Sequence, residues 1–522
     1  MPSDRLGPHV PERSHGIYEM ICVTIARTRH KMMIAEYQAA SEQGAQLAEL
    51  RLDFLRREPD FKRLLERRGC PVIATCRRPP DGGRFGGSED KRLLILRFAI
   101  VAGVDYVDLE TDTAKKVPRF GKTKRIVSYH NFETTPQNLE SIRDEMVDLD
   151  PDIIKLVTMA EVPGDNVRML QLVRNSPVPM VGFCMGDLGV PSRVLCGKYG
   201  APFTYGAFNN ERILAPSQLS FNELRDVYHF DDINVDTEVF GVIGDPVGHS
   251  LSPLIHNTAF RHLKSNRVYL PFRLPLENFR TFWRDMDWLK IKGLSVTIPH
   301  KEAAVESVQQ ADGAVRLVGA LNTVVRRDDG WEGHNTDYRA AMASLEVKLG
   351  AQAGDTAPLS GKQVLVLGAG GVARAITFGL VRRGALVTIA NRDKERGSNL
   401  ARDAGCRYVE WPRRLSCLCD ILINCTPVGM FPEVNDVPMP PGYLREGMVV
   451  FDTIYNPENT LLIKEARARG CVVITGVDMF VRQAVLQFQI FTEQEAPEDL
   501  MNDVVRRALS PVKSAPPQND EQ

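Results

Sequence analysis

Val364-Leu-Val-Leu-Gly368-Ala369-Gly370-Gly371-Val372-Ala373 runs four apolar residues into a glycine turn, and a helix-like stretch follows over residues 374–383. The spacing Gly368-x-Gly370-x-x-Ala373 is that of a strand–turn–helix unit in which small residues let a pyrophosphate approach the backbone. The positive end of the helix then attracts the anion. Residues 368–373 are therefore expected to hold a dinucleotide. The next strand, residues 386–390, leads into Asn391-Arg392-Asp-Lys-Glu-Arg396. An NAD site would carry a carboxylate near position 391 for the ribose 2′-hydroxyl. Here an amide and two arginines stand there, which suits a 2′-phosphate, so the expected cofactor is NADP, held by Asn391, Arg392 and Arg396. Exposed arginines at a helix start are the plain alternative.

The same α/β rhythm extends outward in both directions. Between residues 19 and 218, short apolar, β-branched runs recur about every 25 residues. They cover residues 20–26, 48–54, 71–77, 106–111, 125–132, 153–159, 178–185 and 203–208. Eight strands alternating with helices predict a (β/α)8 barrel. A polar, acidic stretch follows at residues 226–238, and its end reads as the linker to a second module. The expected organisation is a tail at 1–18, the barrel at 19–230, a substrate-binding lobe at 238–340 and a Rossmann-type NADP-binding lobe at 341–480. C-terminal helices follow at 481–509 and a disordered tail at 510–522.

Bulk properties fit ordinary globular domains. The 522 residues are 43% hydrophobic and 25% charged, with a net charge of -1, so nothing draws the chain to nucleic acid or an anionic membrane. No apolar run approaches the ~18 residues of a membrane span. The first twenty residues mix acids and arginines with prolines and lack a signal core. Ten scattered cysteines read as reduced packing residues rather than metal ligands, which points to the cytoplasm and to no metal. The oligomeric state is left open, with a monomer compatible.

Several polar residues interrupt the barrel strands. Lys155 stands in Asp152-Ile-Ile-Lys-Leu-Val. Apolar neighbours solvate an ammonium poorly and favour the free amine that attacks a ketone; a strand-end lysine paired with a carboxylate is the alternative. His130 ends Ile126-Val-Ser-Tyr-His and suits proton abstraction beside a carbonyl or imine, or simply a structural hydrogen bond. Glu49, Arg51 and Asp53 alternate and are expected on one face of one strand. Arg77 ends the next strand, and Arg193 is expected in a loop after Met185. In the second module, Ser250 and Ser252, with Ser252 as N-cap and Pro253 behind it, suit a carboxylate, or Ser252 merely caps the helix. Lys301 and Asp337 can exchange a proton with a reacting hydroxyl, or form an ordinary ion pair. Thr297 and Asn322 sit at strand ends where they can bind hydroxyls.

The first half resembles type I 3-dehydroquinate dehydratase through ELRLDFL, ATCRRPPDGG, VSYHNF, DIIKLVTMA, GVPSR and APSQLS. That resemblance implies an imine between Lys155 and 3-dehydroquinate, His130 as the proton-transfer group and Arg193 on the substrate carboxylate. Glu49, Arg51, Arg77 and Gln218 would bind ring hydroxyls or orient the site. Two positions depart from the family: Asp81 replaces a glutamate that pairs with the histidine, and Leu214 replaces a serine four residues before the lid glutamine. The second half resembles shikimate dehydrogenase through GDPVGHSLSP, LSVTIPHK, GALNTV, GHNTD, INCTPVGM, DTIYNP and GVDMFVRQ. This implies Lys301 and Asp337 as the catalytic dyad. Ser250, Ser252, Thr297, Asn322, Tyr455 and Gln483 would lie on shikimate, and Thr426, Gly476 and Met479 along the cofactor. Together the resemblances imply two successive steps of the shikimate pathway: dehydration, then NADPH-dependent reduction. Two rivals stand beside this reading: an NAD-dependent quinate dehydrogenase, and a barrel that has become a non-catalytic module.

Overall fold

The computed structural model describes residues 20–350 and 357–510. The expected tail at 1–18 and residues 511–522 of the expected disordered tail lie outside the described residues. Two compact units divide between Asp236 and Thr237.

The first unit is built on eight strands: β1 Met20–Ile25, β2 Leu47–Arg51, β3 Val72–Thr75, β4 Tyr106–Glu110, β5 Lys124–His130, β6 Ile153–Met159, β7 Met180–Met185 and β8 Phe203–Ala207. Helices such as Glu89–Val101 and Gly164–Arg174 connect them. All ladders are parallel, in the order β7-β6-β5-β4-β3-β2-β1-β8. Strands covered on both faces need unbroken apolar sequence, and runs such as Met-Val-Gly-Phe-Cys-Met in β7 supply it. The expected closed barrel has one open junction: no ladder joins β7 to β8 among the described residues. A short helix, Val190–Leu195, carries Arg193 there. Its guanidinium donates to the Tyr205 carbonyl of β8 at 3.2 Å and lies 4.1 Å over the Phe183 ring of β7. An arginine thus bridges the two strands that backbone pairing leaves apart.

The second unit holds two sheets. The first contains β9 Glu238–Gly244, β10 Arg267–Arg273, β11 Ile291–Val296, β12 Gln310–Ala311, β13 Thr323–Arg327 and β14 Gly330–His334, in the order β10-β9-β11-β13-β14-β12. β13 runs antiparallel to both of its neighbours, β11 and β14. The second contains β15 Gln363–Leu367, β16 Leu386–Asn391, β17 Arg407–Glu410, β18 Ile421–Asn424, β19 Val449–Asp452 and β20 Val472–Ile474, all parallel. Its order, β17-β16-β15-β18-β19-β20, reverses direction between β15 and β18. A crevice for a ligand opens beyond the carboxyl ends of strands at such a switch point.

Two helices cross the lobe boundaries expected from sequence. Thr336–Lys348 spans position 340/341 and buries Ala340, Ala341, Met342 and Leu345 in the core of the second sheet. Gly476–Thr492 spans position 480/481. Its stripe Val477, Val481, Ala484, Phe488 and Phe491 packs with Phe240 and Phe260 of the first sheet's layer, while Met479 joins the other core. The 4-3-4-3 spacing of that stripe fixes one helical face. Met501 and Val505 of the last helix, Glu498–Leu509, complete the same cluster.

Candidate functional sites

Lys155 lies inside the barrel. It pairs in register with Ser128 of β5, and His130 lies two residues further toward the carboxyl end of that strand. Both line one cavity of about 80 Å³, together with Glu49, Arg51, Arg77 and Arg193. The apolar surroundings expected for Lys155 are not what the amine meets. Its Nζ is 3.4 Å from both the Glu49 and the Asp108 carboxylates and 3.8 Å from the Tyr205 ring centroid. Backbone alternation explains the difference: the flanking isoleucine and leucine point to the other face.

The carboxylates belong to a wider buried cluster. Arg77 donates to Asp108 at 2.7 Å, to Glu110 at 3.1 Å and to Ser128 at 2.8 Å. Burial alone would raise the carboxyls of Glu49 and Asp108. For Glu49, Lys155 and Arg51 outweigh it; for Asp108, Arg77 and Lys155 do. Both carboxyls are held below their ordinary values, Asp108 well below. Glu49 also accepts from Thr24 at 3.2 Å and Thr75 at 2.9 Å. Arg51 forks onto Asp53 with two 2.9 Å bonds. Asp53 is not on the strand as expected; the chain turns into a short 3-10 segment after Arg51, and Asp53 there accepts from the Arg84 N–H at 3.0 Å.

His130 is pushed well below the ordinary imidazole value, first by burial and then by the charges of Arg77 and Lys155. Its Nδ1 has no hydrogen-bond partner among the described residues. Asp81 lines the same cavity, but its carboxylate accepts from Arg78 at 2.8 Å instead. Arg193 is in a helix rather than the expected loop, and only 2% exposed. Burial lowers it to about 10, and its Nε has no hydrogen-bond partner among the described residues. Gln218 turns its Oε1 to the Leu214 N–H at 2.9 Å.

The second unit has a cavity of about 300 Å³ where the two sheets meet. Lys301 Nζ and Asp337 Oδ2 are 2.5 Å apart on its wall. Lys301 follows the loop after β11, and Asp337 opens the helix Thr336–Lys348, whose N-cap is Asn335. A Cβ placed on Gly371 would stand 3.2 Å from Lys301 Cδ, so the lysine lies against the glycine turn. Ser250, Ser252, Thr297, Asn322, Tyr455, Gln483, Val372, Gly476 and Met479 share this wall. Ser252 is not the N-cap expected: Leu251 already adopts helical angles, and the Ser250 hydroxyl accepts the Ser252 N–H at 3.2 Å. Asn322 spends its amide on Thr336, accepting from its N–H at 2.7 Å and donating to its hydroxyl at 2.8 Å. Tyr455 stacks on Phe480, and Gln483 donates to the Phe480 carbonyl at 3.0 Å.

The glycine turn fits a dinucleotide. Gly368 has φ +109°, and a Cβ there would come within 2.9 Å of the Cys425 carbonyl, beside Thr426. Gly370 caps the helix Gly371–Arg382 and faces open space. Ala369 packs partly buried, and Ala373 is fully buried. Gly476 has a structural reason of its own: a Cβ would meet the Ile454 carbonyl at 2.2 Å. Asn391 ends β16 and donates to the Asp393 carbonyl at 2.8 Å. Asp393, the acid nearest an expected ribose, caps the next helix by accepting from the Arg396 N–H at 3.0 Å. Arg392 and Arg396 are exposed, with no ion pair among the described residues.

Residues that sequence reasoning passed over are Asp108, Glu110 and Tyr205 in the barrel, and Ser295, Thr453 and Gln487 in the second cavity. Asp108 and Glu110 alternate on β4 as Glu49 and Arg51 do on β2. Gln487 lies four residues after Gln483, one helical turn on.

Fold and cavities define a two-enzyme class: a barrel with a buried amine beside a neutral imidazole, joined to a dinucleotide-dependent oxidoreductase. Family models agree along the chain. Type I 3-dehydroquinase matches residues 21–235, the shikimate dehydrogenase substrate binding domain 242–324, shikimate/quinate 5-dehydrogenase 351–428, and the shikimate 5′-dehydrogenase C-terminal domain 476–506. A bifunctional 3-dehydroquinate dehydratase/shikimate dehydrogenase described as chloroplastic, from Arabidopsis thaliana, is 36% identical over 93% of this chain and 85% of its own length. The chain belongs to that bifunctional family. A shikimate dehydrogenase (NADP(+)) from Methanothermobacter thermautotrophicus is 38% identical over 52% of this chain and 98% of its own. A solved shikimate dehydrogenase in complex with NADP+ is 34% identical with a TM-score of 0.50, covering 53% of this chain and 98% of its own.

Proposed function

We propose that the chain dehydrates 3-dehydroquinate to 3-dehydroshikimate in its barrel and reduces that ketone to shikimate in its second unit, with NADPH. The observation that carries the reading is the pairing of two cavities: one joins Lys155 and His130, the other sets Lys301 and Asp337 against the glycine turn.

In the barrel, the Lys155 amine condenses with the substrate ketone and releases water, forming an imine. Only the free amine attacks, so a base in the cavity has to take up any proton the amine carries. His130, kept neutral by burial and by two nearby cations, is the base in the same cavity. The imine draws electrons from the adjacent carbon, His130 removes the proton there, and the same ring returns it to the departing hydroxyl. Water then hydrolyses the imine and frees Lys155. Arg193, whose buried guanidinium has spare donors, takes the substrate carboxylate. Glu49, Arg51, Arg77 and Gln218 hold ring hydroxyls or the lysine.

In the second unit, residues 368–373 with Thr426, Gly476 and Met479 would hold NADP, and Asn391, Arg392 and Arg396, at the end of β16, would take its 2′-phosphate. Bound NADPH supplies the hydride. Lys301 donates a proton to the ketone oxygen, and Asp337 holds the lysine where that transfer is short. Ser250 and Ser252 take the carboxylate, and Thr297, Asn322, Tyr455 and Gln483 the ring. A cytoplasmic location goes with this reading, supported by ten free cysteines; no helix of the described residues is long and apolar enough to cross a membrane. The test is to supply the purified chain with 3-dehydroquinate and NADPH. Oxidation of NADPH and appearance of shikimate are expected; no turnover, with the chain folded, would refute the reading.

A further inference from the structure

A hydrogen-bonded chain of fixed direction ends on the inner wall of the second cavity. It begins at the main-chain carbonyl of Asn322, which can only accept. Gln487 Nε2 is 3.1 Å from that oxygen and 3.0 Å from Thr323 Oγ1, which itself donates to Asn322 Oδ1 at 3.0 Å. Both protons of the Gln487 amide are therefore committed, and the amide has one orientation. Its Oε1 then faces Ser295 Oγ at 2.7 Å, so Ser295 must donate its only proton there. Tyr269 lies 2.6 Å from the same serine oxygen and must donate to it. Ser295, Gln487 and Tyr269 are all buried.

Two of these groups, Ser295 and Gln487, also line the cavity, and neither has a proton left to offer. The Gln487 oxygen is also faced by the His256 ring, so the free acceptor on the wall is Ser295 Oγ. We infer that Ser295, its proton held by Gln487, presents this wall as a hydrogen-bond acceptor only, so that it reads a ring hydroxyl of the substrate that takes no part in the redox step. The inference rests on the dehydrogenase reading above and deepens it. A ketone oxygen can only accept; it is matched to the Lys301 ammonium and mismatched to this wall. The reacting carbon is thereby directed to Lys301 and a spectator hydroxyl to Ser295, in both the ketone and the alcohol. A ligand with hydrogen or fluorine there leaves that buried acceptor unpaired, and sites of this kind reject such analogues strongly. Tyr269 acts as a positioning residue. Its phenol oxygen also faces Ser252, so the Ser295 variant is the decisive one.

The test measures NADP+-dependent oxidation by the full chain, using shikimate and analogues in which each non-reacting ring hydroxyl in turn is replaced by hydrogen or by fluorine. At one position both replacements should lower kcat/KM about 10- to 100-fold, mainly through KM, because the contact is made before and during the reaction. Ser295→Ala should lower kcat/KM for shikimate by a similar factor and shrink the analogue penalty to within about 3-fold, as expected of a lost pairwise contact. Tyr269→Phe should reduce the same penalty partway. An unchanged KM for NADP+ shows that each variant is folded. Fluoro analogues used as well as shikimate, or a penalty untouched by Ser295→Ala, overturn the inference. A wild-type chain that dehydrates 3-dehydroquinate but oxidises neither shikimate nor any analogue overturns the dehydrogenase reading instead.

Discussion

At the scale of single residues, charge state decides most of the chemistry. His130 is depressed by burial and by Arg77 and Lys155, so its neutral form persists to lower pH than that of a free imidazole. The acid limb of the dehydratase pH profile should therefore fall below pH 6.5, and Arg77→Met should move it upward. Steady-state rates across pH 4–8 test this; a limb at or above 6.5 in the wild type counts against His130 as the base. Arg392 and Arg396 are exposed on the rim where β16 ends. Replacing both by Ala should raise KM for NADPH about 10- to 100-fold, in line with the loss of charge-assisted bonds to a phosphate, and leave KM for NADH nearly unchanged. Some of this was legible. The amide at 391 and the arginines beyond it could be read one residue at a time, as could Lys155 and His130. The neighbours of Lys155 could not be, because Glu49 and Asp108 arrive from strands 106 and 47 residues away.

At the scale of elements, β19 ends in a buried acid, hydrogen-bonded but with no cation paired to it among the described residues. Asp452 is fully buried, and burial lifts its carboxyl from 3.8 to about 6 despite bonds from Asn424, Ile454 and Thr460. The folded state therefore binds this proton more tightly than the unfolded chain. Its contribution is fully present below about pH 4 and is lost as pH rises through 6. Asp452→Asn should gain stability relative to wild type over that window, by on the order of 3 kcal/mol. The denaturant midpoint for loss of dehydrogenase activity, at pH 4.5 and pH 7, measures it; equal differences at both pH values would exclude the linkage. Element identity was the most legible level. Alternation and apolar runs located all eight barrel strands to within about three residues at each end. Boundaries between lobes were not legible, since the stripe from Val477 to Phe491 says that the helix is buried but not against which sheet.

At the scale of the whole molecule, two compact units carry the two cavities. Lys155→Ala should abolish trapping of 3-dehydroquinate by borohydride while leaving shikimate oxidation intact. Lys301→Ala should slow the reduction about 10²- to 10⁴-fold and let 3-dehydroshikimate accumulate from 3-dehydroquinate. Chromatography of the products from each variant distinguishes independent sites from a coupled one. The sequence by itself determined the order of strands, helices and glycine turns, and with it two α/β units and their chemistry, because periodicity and turn residues act within a few positions of the chain. Tertiary structure alone decided that Arg193 bridges β7 and β8, that carboxylates surround Lys155, and that Ser295 has no proton to give. Each of those depends on which distant groups share a buried space, where hydrogen-bond direction and charge are set by neighbours in three dimensions.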